Sequence, residues 1–309
     1  AEAARRAGGA YDGTWTTVLP EQGTLAGFLL GSGEVFARTA QVPTTLAPGR
    51  YRLTTHALGE GDTADQATIR YAGVYGEGAD GAPYLMREVL GGGSGGRPYA
   101  DGEDTIHVVP DSRNLPTEFT ESRFPFVVER LGLAVDSGGA GRYRGGLGYE
   151  KQIRMLRDAH FMSIADRSIL ACWGVKGGKA GRPFEVTVDV GGPDERSVDA
   201  LADAEVVKAG QVIRIRTTGG GGWGDPLERP YDEVERDLRW GKVSFEGARR
   251  DYGVVASGTQ DEPVVDTASS DALRDGLRAE RAAEQPFFDR GPGYATLAAG
   301  QSAADVDWV

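Results

Sequence analysis

The clearest pattern along the chain is a strict alternation over residues 184–190, FEVTVDV. Phe184, Val186, Val188 and Val190 point one way and Glu185, Thr187 and Asp189 the other, the two-residue period of a half-buried strand. The same reading predicts strands over 124–135 (FPFVVERLGLAV), 149–156 (YEKQIRML) and 211–218 (QVIRIRTT), with Lys151, Ile153 and Met155 sharing one face of the second. Nearer the N-terminus, 51–58 (YRLTTHAL) and 67–76 (ATIRYAGVYG) carry β-branched and aromatic residues, separated by the turn-forming GEGDTAD.

The period changes after residue 225. In RPYDEVERDLRW (229–240), Tyr231, Val234 and Leu238 fall on one helical face, with Pro230 at the first helical position, acids early and an arginine late. A second short helix is predicted from Ser244 as N-cap, burying Phe245, Ala248 and Tyr252 and stopping at Gly253. Residues 251–309 hold eleven acids against four arginines and few large apolar residues before PFF at 286–288, so an extended acidic tail is expected there. The expected class is β-rich α+β: glycine-linked strands forming a β core over about 100–225, then two short helices and the tail. Three segments follow, a β-rich 1–90, a central 91–255 and an acidic 256–309.

Composition narrows the function classes. A net charge of −12 argues against a nucleic-acid partner, which requires a basic surface. The lone Cys172 excludes a disulfide within the chain and, with no 20-residue apolar stretch and no apolar signal core in AEAARRAGGAYDG, makes a reducing cytoplasm the expected location and a membrane partner unexpected. Glycine stands out, with 47 residues gathered in a few runs.

Two of those runs could hold an anion. GGGGWGDP (219–226) lacks the lysine and hydroxyl that a phosphate loop places after its glycines, and Pro226 cannot donate an N–H. The run therefore reads as architecture, a strand exit with positive-φ turns and Trp223 packed on bare backbone. DSGGAGRYRGG (136–146) stays open: its glycine amides with Arg142 and Arg144 could grip a carboxylate or phosphate, or the arginines could pair with the chain's own acids. His56, His107 and His160 have no metal-ligand spacing, no G-x-S-x-G elbow occurs, and Cys172 in ILACWGVKGG reads as a buried core residue. No self-sufficient catalytic motif is present.

Three longer stretches carry a resemblance. NLPTEFTESRFPFVVERLGLAVDSGGAGRYRGGLG (114–148), ADRSILACWGVKGGKAG (165–181) and TTGGGGWGDPLERPYDEVERDLRWGKVSFEGARRDYGVV (217–255), with GGGSGGRP upstream, resemble the C-terminal part of the hydantoinase B / 5-oxoprolinase family, whose relatives include acetone and acetophenone carboxylase subunits. The resemblance runs from about 91 to 255. It implies a partner similar to hydantoinase A that binds ATP with Mg and activates a carbonyl or amide by phosphorylation. The B-like part then completes hydrolysis of a cyclic amide or supports ketone carboxylation. It also implies a divalent metal, zinc or manganese, on the family's N-terminal half; no counterpart of that segment is recognisable here, so no metal is expected on this chain and its isolated form is expected to turn over neither hydantoin nor lactam. By the same resemblance His107, Asn114 and Glu118 are the site-lining candidates, with Pro110 standing where the family pattern has asparagine. The expectation is a C-terminal-half subunit or fragment of an ATP-dependent amidohydrolase complex; the alternatives are a ketone carboxylase subunit and a noncatalytic scaffold of such a complex.

Overall fold

The computed structural model describes residues 14–19, 49–54, 64–65, 70–107, 113–281, 287–302 and 306. The chain divides into two units, 1–62 and 63–309. In the first, β1 (Thr14–Leu19) and β2 (Gly49–Thr54) pair antiparallel, with Thr14 opposite Thr54 and Leu19 opposite Gly49.

The second unit is built on two antiparallel sheets. Strands β3 (Arg70–Glu77), β4 (Pro83–Val89), β7 (Ala159–Ala165) and β11 (Leu201–Val207) form one, in the order β11-β7-β3-β4. Strands β5 (Phe126–Leu133), β6 (Tyr149–Met155), β9 (Glu185–Val188), β10 (Arg196–Val198) and β12 (Val212–Arg216) form the other, in the order β10-β9-β12-β6-β5. Alternate residues of both sheets enter one core, Val74, Met86 and Phe161 from the first meeting Ile153, Met155, Val186, Val188, Ile213 and Ile215 from the second. This is a β-sandwich, held by burial of the inward faces. β3 and β4 lie inside the 1–90 segment, yet β3 pairs with β7 from Arg70 to Gly76.

The two expected helices form beside it. Helix α2 (Tyr231–Arg239) buries Val234 and Leu238, and α3 (Phe245–Tyr252) starts where the Ser244 hydroxyl accepts from Gly247 N at 2.9 Å. Gly253 ends α3 in the left-handed conformation, φ 60°. A further helix, α1 (Thr117–Arg123), carries the candidate Glu118 and leads into β5. The 256–309 segment departs from the extended tail expected of it. It contains most of a hairpin of β13 (Val255–Gly258) and β14 (Pro263–Asp266), the 14-residue helix α4 (Thr267–Glu280), and α5 (Gly291–Ala298), while β15 (Phe288–Asp289) pairs with β8 (Gly174–Val175). Charge density misled the reading because α4 is anchored by single side chains: Asp266 caps it, and Arg274 donates from Nη2 to Arg229 O at 2.8 Å and from Nε to Tyr252 O at 2.9 Å.

The glycine runs form a third structural part. From 219 to 224 each backbone N–H donates to a neighbouring segment, and for two of the three pairs spaced three apart the partner segment is the same. Gly219 and Gly222 donate to Arg182 O and Lys179 O, Gly220 and Trp223 to Gly146 O and Tyr143 O, Gly221 and Gly224 to Asp65 O and Val175 O. Gly93 and Gly96 in turn donate to Thr218 O and Gly221 O, again three apart. Three residues per turn is the period of a polyproline II helix, and glycine is required where such helices pack backbone against backbone. A Cβ on Gly220 would lie 2.0 Å from Ser94 O, and one on Gly221 1.9 Å from Trp173 O. The positive-φ turns expected for the run are absent from 219–222; within GGGGWGDP only Gly224 has positive φ, 72°. The glycines are there for close approach, and the architectural reading of the run holds for that reason.

Candidate functional site

Strand parity carries charge into the sandwich interior. Ala72 and Val74 of β3 face the core, so Arg70, two residues earlier, faces it as well. Likewise Tyr149 and Lys151 share the face of Ile153 and Met155 on β6, and Glu88 shares the face of Met86 on β4. The interior is therefore apolar at one end and polar at the other. Buried charge is stable only when paired or hydrogen-bonded, and Lys151 meets this by donating from Nζ to Glu88 Oε2 at 2.5 Å.

Arg70 does not meet it. Its side chain is 0% exposed, and neither Nε, Nη1 nor Nη2 has a hydrogen-bond partner among the described residues. Burial pulls its pKa below the arginine range, while Cys172 and Asp166 work in the other direction. The Tyr149 hydroxyl, whose charge would be felt by Arg70, is buried without a hydrogen bond, and its pKa is pushed up by burial and then by the charge of Glu88. Glu88 Oε1 and Thr218 Oγ1 are also buried and unpartnered. The glycine bundle is sewn to this end: Thr217 N donates to Tyr149 O, and Tyr149 N to Thr217 Oγ1, each at 2.9 Å.

Of the residues singled out from the resemblance, Asn114 is exposed and its side chain lies next to the Tyr149 hydroxyl without a well-formed hydrogen bond. His107 follows the Gly92–Ile106 bridge, half-buried, with Nδ1 enclosed and unpartnered. Glu118 is exposed in the first turn of α1, where an acid complements the helix dipole. No hydrogen bond or ion pair among the described residues joins these three to one another. His56 and Pro110 lie outside the described residues. Arg70 and Tyr149 escaped sequence reasoning, although one signal was present: an arginine on the same face as Ala72 and Val74 of an alternating strand.

Arg142 and Arg144 behave differently from each other. Arg142 is exposed, 3.7 Å from Glu228. Arg144 is buried, with Asp104 at 3.4 Å and Asp237 at 3.6 Å, and donates to Gly145 O. It belongs to a network centred on Arg229, which is fully buried and reaches Asp101 and Asp237 at 2.7 Å each. Burial opposes ionisation of Asp101, but the hydrogen bond and charge of Arg229, with Arg144, outweigh it and hold the carboxyl below its ordinary range. Burial likewise opposes the charge on Arg229, and the same two aspartates raise its pKa. The network ties the 101–104 loop and the 142–145 loop to α2. Elsewhere a cavity of about 410 Å³ is lined by Arg130, Arg182, Arg216, Arg250, Glu150 and Glu185 among others. Its charges largely cancel, Arg130 and Arg216 both resting on Glu150 at 3.1 and 2.7 Å. Among the described residues no three His, Cys, Asp or Glu side chains converge to hold a metal. No described helix is long and apolar enough to cross a membrane.

Comparison with known families decides what this architecture is. Residues 43–226, more than half of the chain, match the family Hydantoinase B/oxoprolinase. The chain belongs to that family. Among curated relatives, an uncharacterized protein of Methanocaldococcus jannaschii is 37% identical over 161 residues, covering 52% of this chain and 28% of its own. The beta chain of the caprolactamase of Pseudomonas jessenii is 37% identical over 149 residues, 46% of this chain and 25% of that protein. The aligned part thus spans little more than a quarter of the length of these relatives. Two solved structures share the fold: nucleotide-free acetone carboxylase (TM-score 0.63, 23% identity, 72% of this chain and 35% of that one) and the ATP-dependent caprolactamase of P. jessenii (TM-score 0.60, 26% identity, 71% and 39%). The first, at that identity, speaks for fold alone.

Proposed function

We propose that this chain forms part of a multi-subunit, ATP-dependent enzyme that hydrolyses a cyclic amide through a phosphorylated intermediate, and that the polar end of its sandwich lines the substrate chamber. The observation that supports this most directly is the gathering of unpartnered buried polar groups, on Arg70, Tyr149 and Glu88, in a chain of this family. Native interiors leave few such groups unsatisfied, and a cluster marks a place built for something else. The amide chemistry is supported by the 37% identity to a caprolactamase chain. ATP with Mg, and a zinc or manganese ion, are assigned to the remainder of the enzyme, together with an ATP-binding subunit similar to hydantoinase A and the family's N-terminal half. This chain's own part is to hold and orient substrate and to exclude water from the activated carbonyl.

A second reading, ATP-dependent ketone carboxylation, is supported by the acetone carboxylase alpha subunit of Xanthobacter autotrophicus, 30% identical over 203 residues. The test is to purify the native assembly through this chain and follow ADP release. Release stimulated by a lactam or hydantoin without bicarbonate supports the first reading. Release that needs both a ketone and bicarbonate replaces it with the second. An intact assembly that responds to neither, and whose turnover of its own substrate survives alanine at His107, Asn114 and Glu118, leaves only a scaffold role.

A further inference from the structure

We propose that Arg70 is the centre of an oxyanion-binding site: a carboxylate or phosphoryl group bound at the polar end of the sandwich, gripped by the Arg70 guanidinium and by the Tyr149 hydroxyl. The inference rests on the reading of that end as the substrate chamber, but it does not depend on which reaction the enzyme performs.

A guanidinium stays charged at any physiological pH, so burial cannot be relieved by losing the proton as it could for lysine. Arg70 is fully enclosed, and among the described residues all three of its nitrogens lack an acceptor. Such a group is strongly unfavourable unless an anion joins it. Its surroundings contrast with those of Arg229, equally enclosed, which reaches two carboxylates at 2.7 Å. The charge of Asp166 is felt by Arg70 but no carboxylate is hydrogen-bonded to it among the described residues, and the buried glutamate at this end of the interior, Glu88, is held by Lys151. The second unpartnered group on the same side, the Tyr149 hydroxyl, is a donor kept neutral by burial. A planar guanidinium fork beside a phenolic hydroxyl favours an oxyanion over a neutral carbonyl. Exposed Asn114 lies next to the Tyr149 hydroxyl.

The test uses the full 309-residue chain with inorganic phosphate, acetate and chloride at matched ionic strength. With phosphate or acetate at a hundredfold excess over Kd, mass action should raise the melting midpoint of the wild type by about 5–10 °C relative to chloride. Arg70→Met should abolish that rise while melting no lower than the wild type in chloride, since it removes an uncompensated charge. Arg70→Lys should keep only part of the rise, because an ammonium lacks the fork. A response to phosphate alone identifies a phosphoryl ligand, and a response to acetate a carboxylate. In the wild type, NMR of the arginine Nε–H groups should show one enclosed resonance moving on titration. No shift with either anion, or equal shifts in Arg70→Met, overturns the proposal. If Arg70→Met does not fold, an arginine Nε–H spectrum unchanged by both anions does the same. Anion binding is read without turnover, so its failure leaves the proposed reaction standing, and loss of the proposed reaction leaves the binding result intact.

Discussion

Gly220→Ala isolates the packing of the glycine bundle from every other effect. The φ of Gly220 lies outside the left-handed region, so alanine meets no backbone penalty there, and the added methyl alone is at issue. That methyl would sit 2.0 Å from Ser94 O, against the 3.4 Å at which ordinary contact begins, so the two segments must part by 1.4 Å. The separation stretches the hydrogen bonds Gly146 N to Ser94 O (2.8 Å) and Gly220 N to Gly146 O (2.9 Å) beyond useful length. Overpacking costs roughly 1–3 kcal/mol, and the two buried backbone groups left unpaired together about 2–3 kcal/mol more. The total, on the order of 3–6 kcal/mol, is a large share of the ~5–15 kcal/mol that a domain has. In a domain of this size that lowers the melting midpoint by about 10–20 °C, measurable by calorimetry or circular dichroism. Gly276→Ala is the control. Its Cβ meets nothing within 4 Å, it lies in α4, and alanine should stabilise by about 1 kcal/mol through helix propensity. A Gly220→Ala midpoint within about 3 °C of wild type, less than the smallest cost above allows, would show that the bundle is loosely packed and would refute the steric account.

The remaining predictions concern charge and reactivity. Arg229→Met should cost about 3–5 kcal/mol by stranding Asp101 and Asp237 in the interior, read as a fall in urea midpoint, and an unchanged midpoint would show the network to be slack. Asp101, Asp104 and Asp225 all have folded pKa values below their ordinary value of 3.8, so the stability they contribute is complete above that value and is lost as pH falls through the depressed ones. The melting midpoint should accordingly hold on lowering pH from about 7 to about 5 and drop below about 4, whereas a drop centred near pH ~6 would point to other groups. Cys172 is fully buried, and burial pushes its thiol up to about 12, so an aromatic disulfide reagent should modify it only after unfolding; rapid reaction in the native chain would contradict its enclosure.

Local pattern determined much of this molecule. Alternation over 184–190 and 211–218 specified β9 and β12 and their buried faces, and the signals at Pro230, Ser244 and Gly253 specified α2 and α3 to within a residue or two. Those features depend on neighbours close in sequence, where side-chain period and capping chemistry act directly. The missing lysine of GGGGWGDP argued against a phosphate loop and for an architectural role. Its actual reason for being glycine was not legible, because the crowding atoms belong to Ser94, Ser137, Ala140 and Trp173, residues brought together only by the fold. The same holds for 256–309, whose helix is held by contacts to Arg229 and Tyr252 rather than by its own composition. It holds most of all for Arg70 and Arg229. Both are arginines in the sequence, and both end fully buried, but only the tertiary structure decided that, among the described residues, Arg229 would be hydrogen-bonded to two carboxylates and Arg70 to none. A charge's partner is set by which strands and loops converge in space, and no periodicity along the chain encodes that.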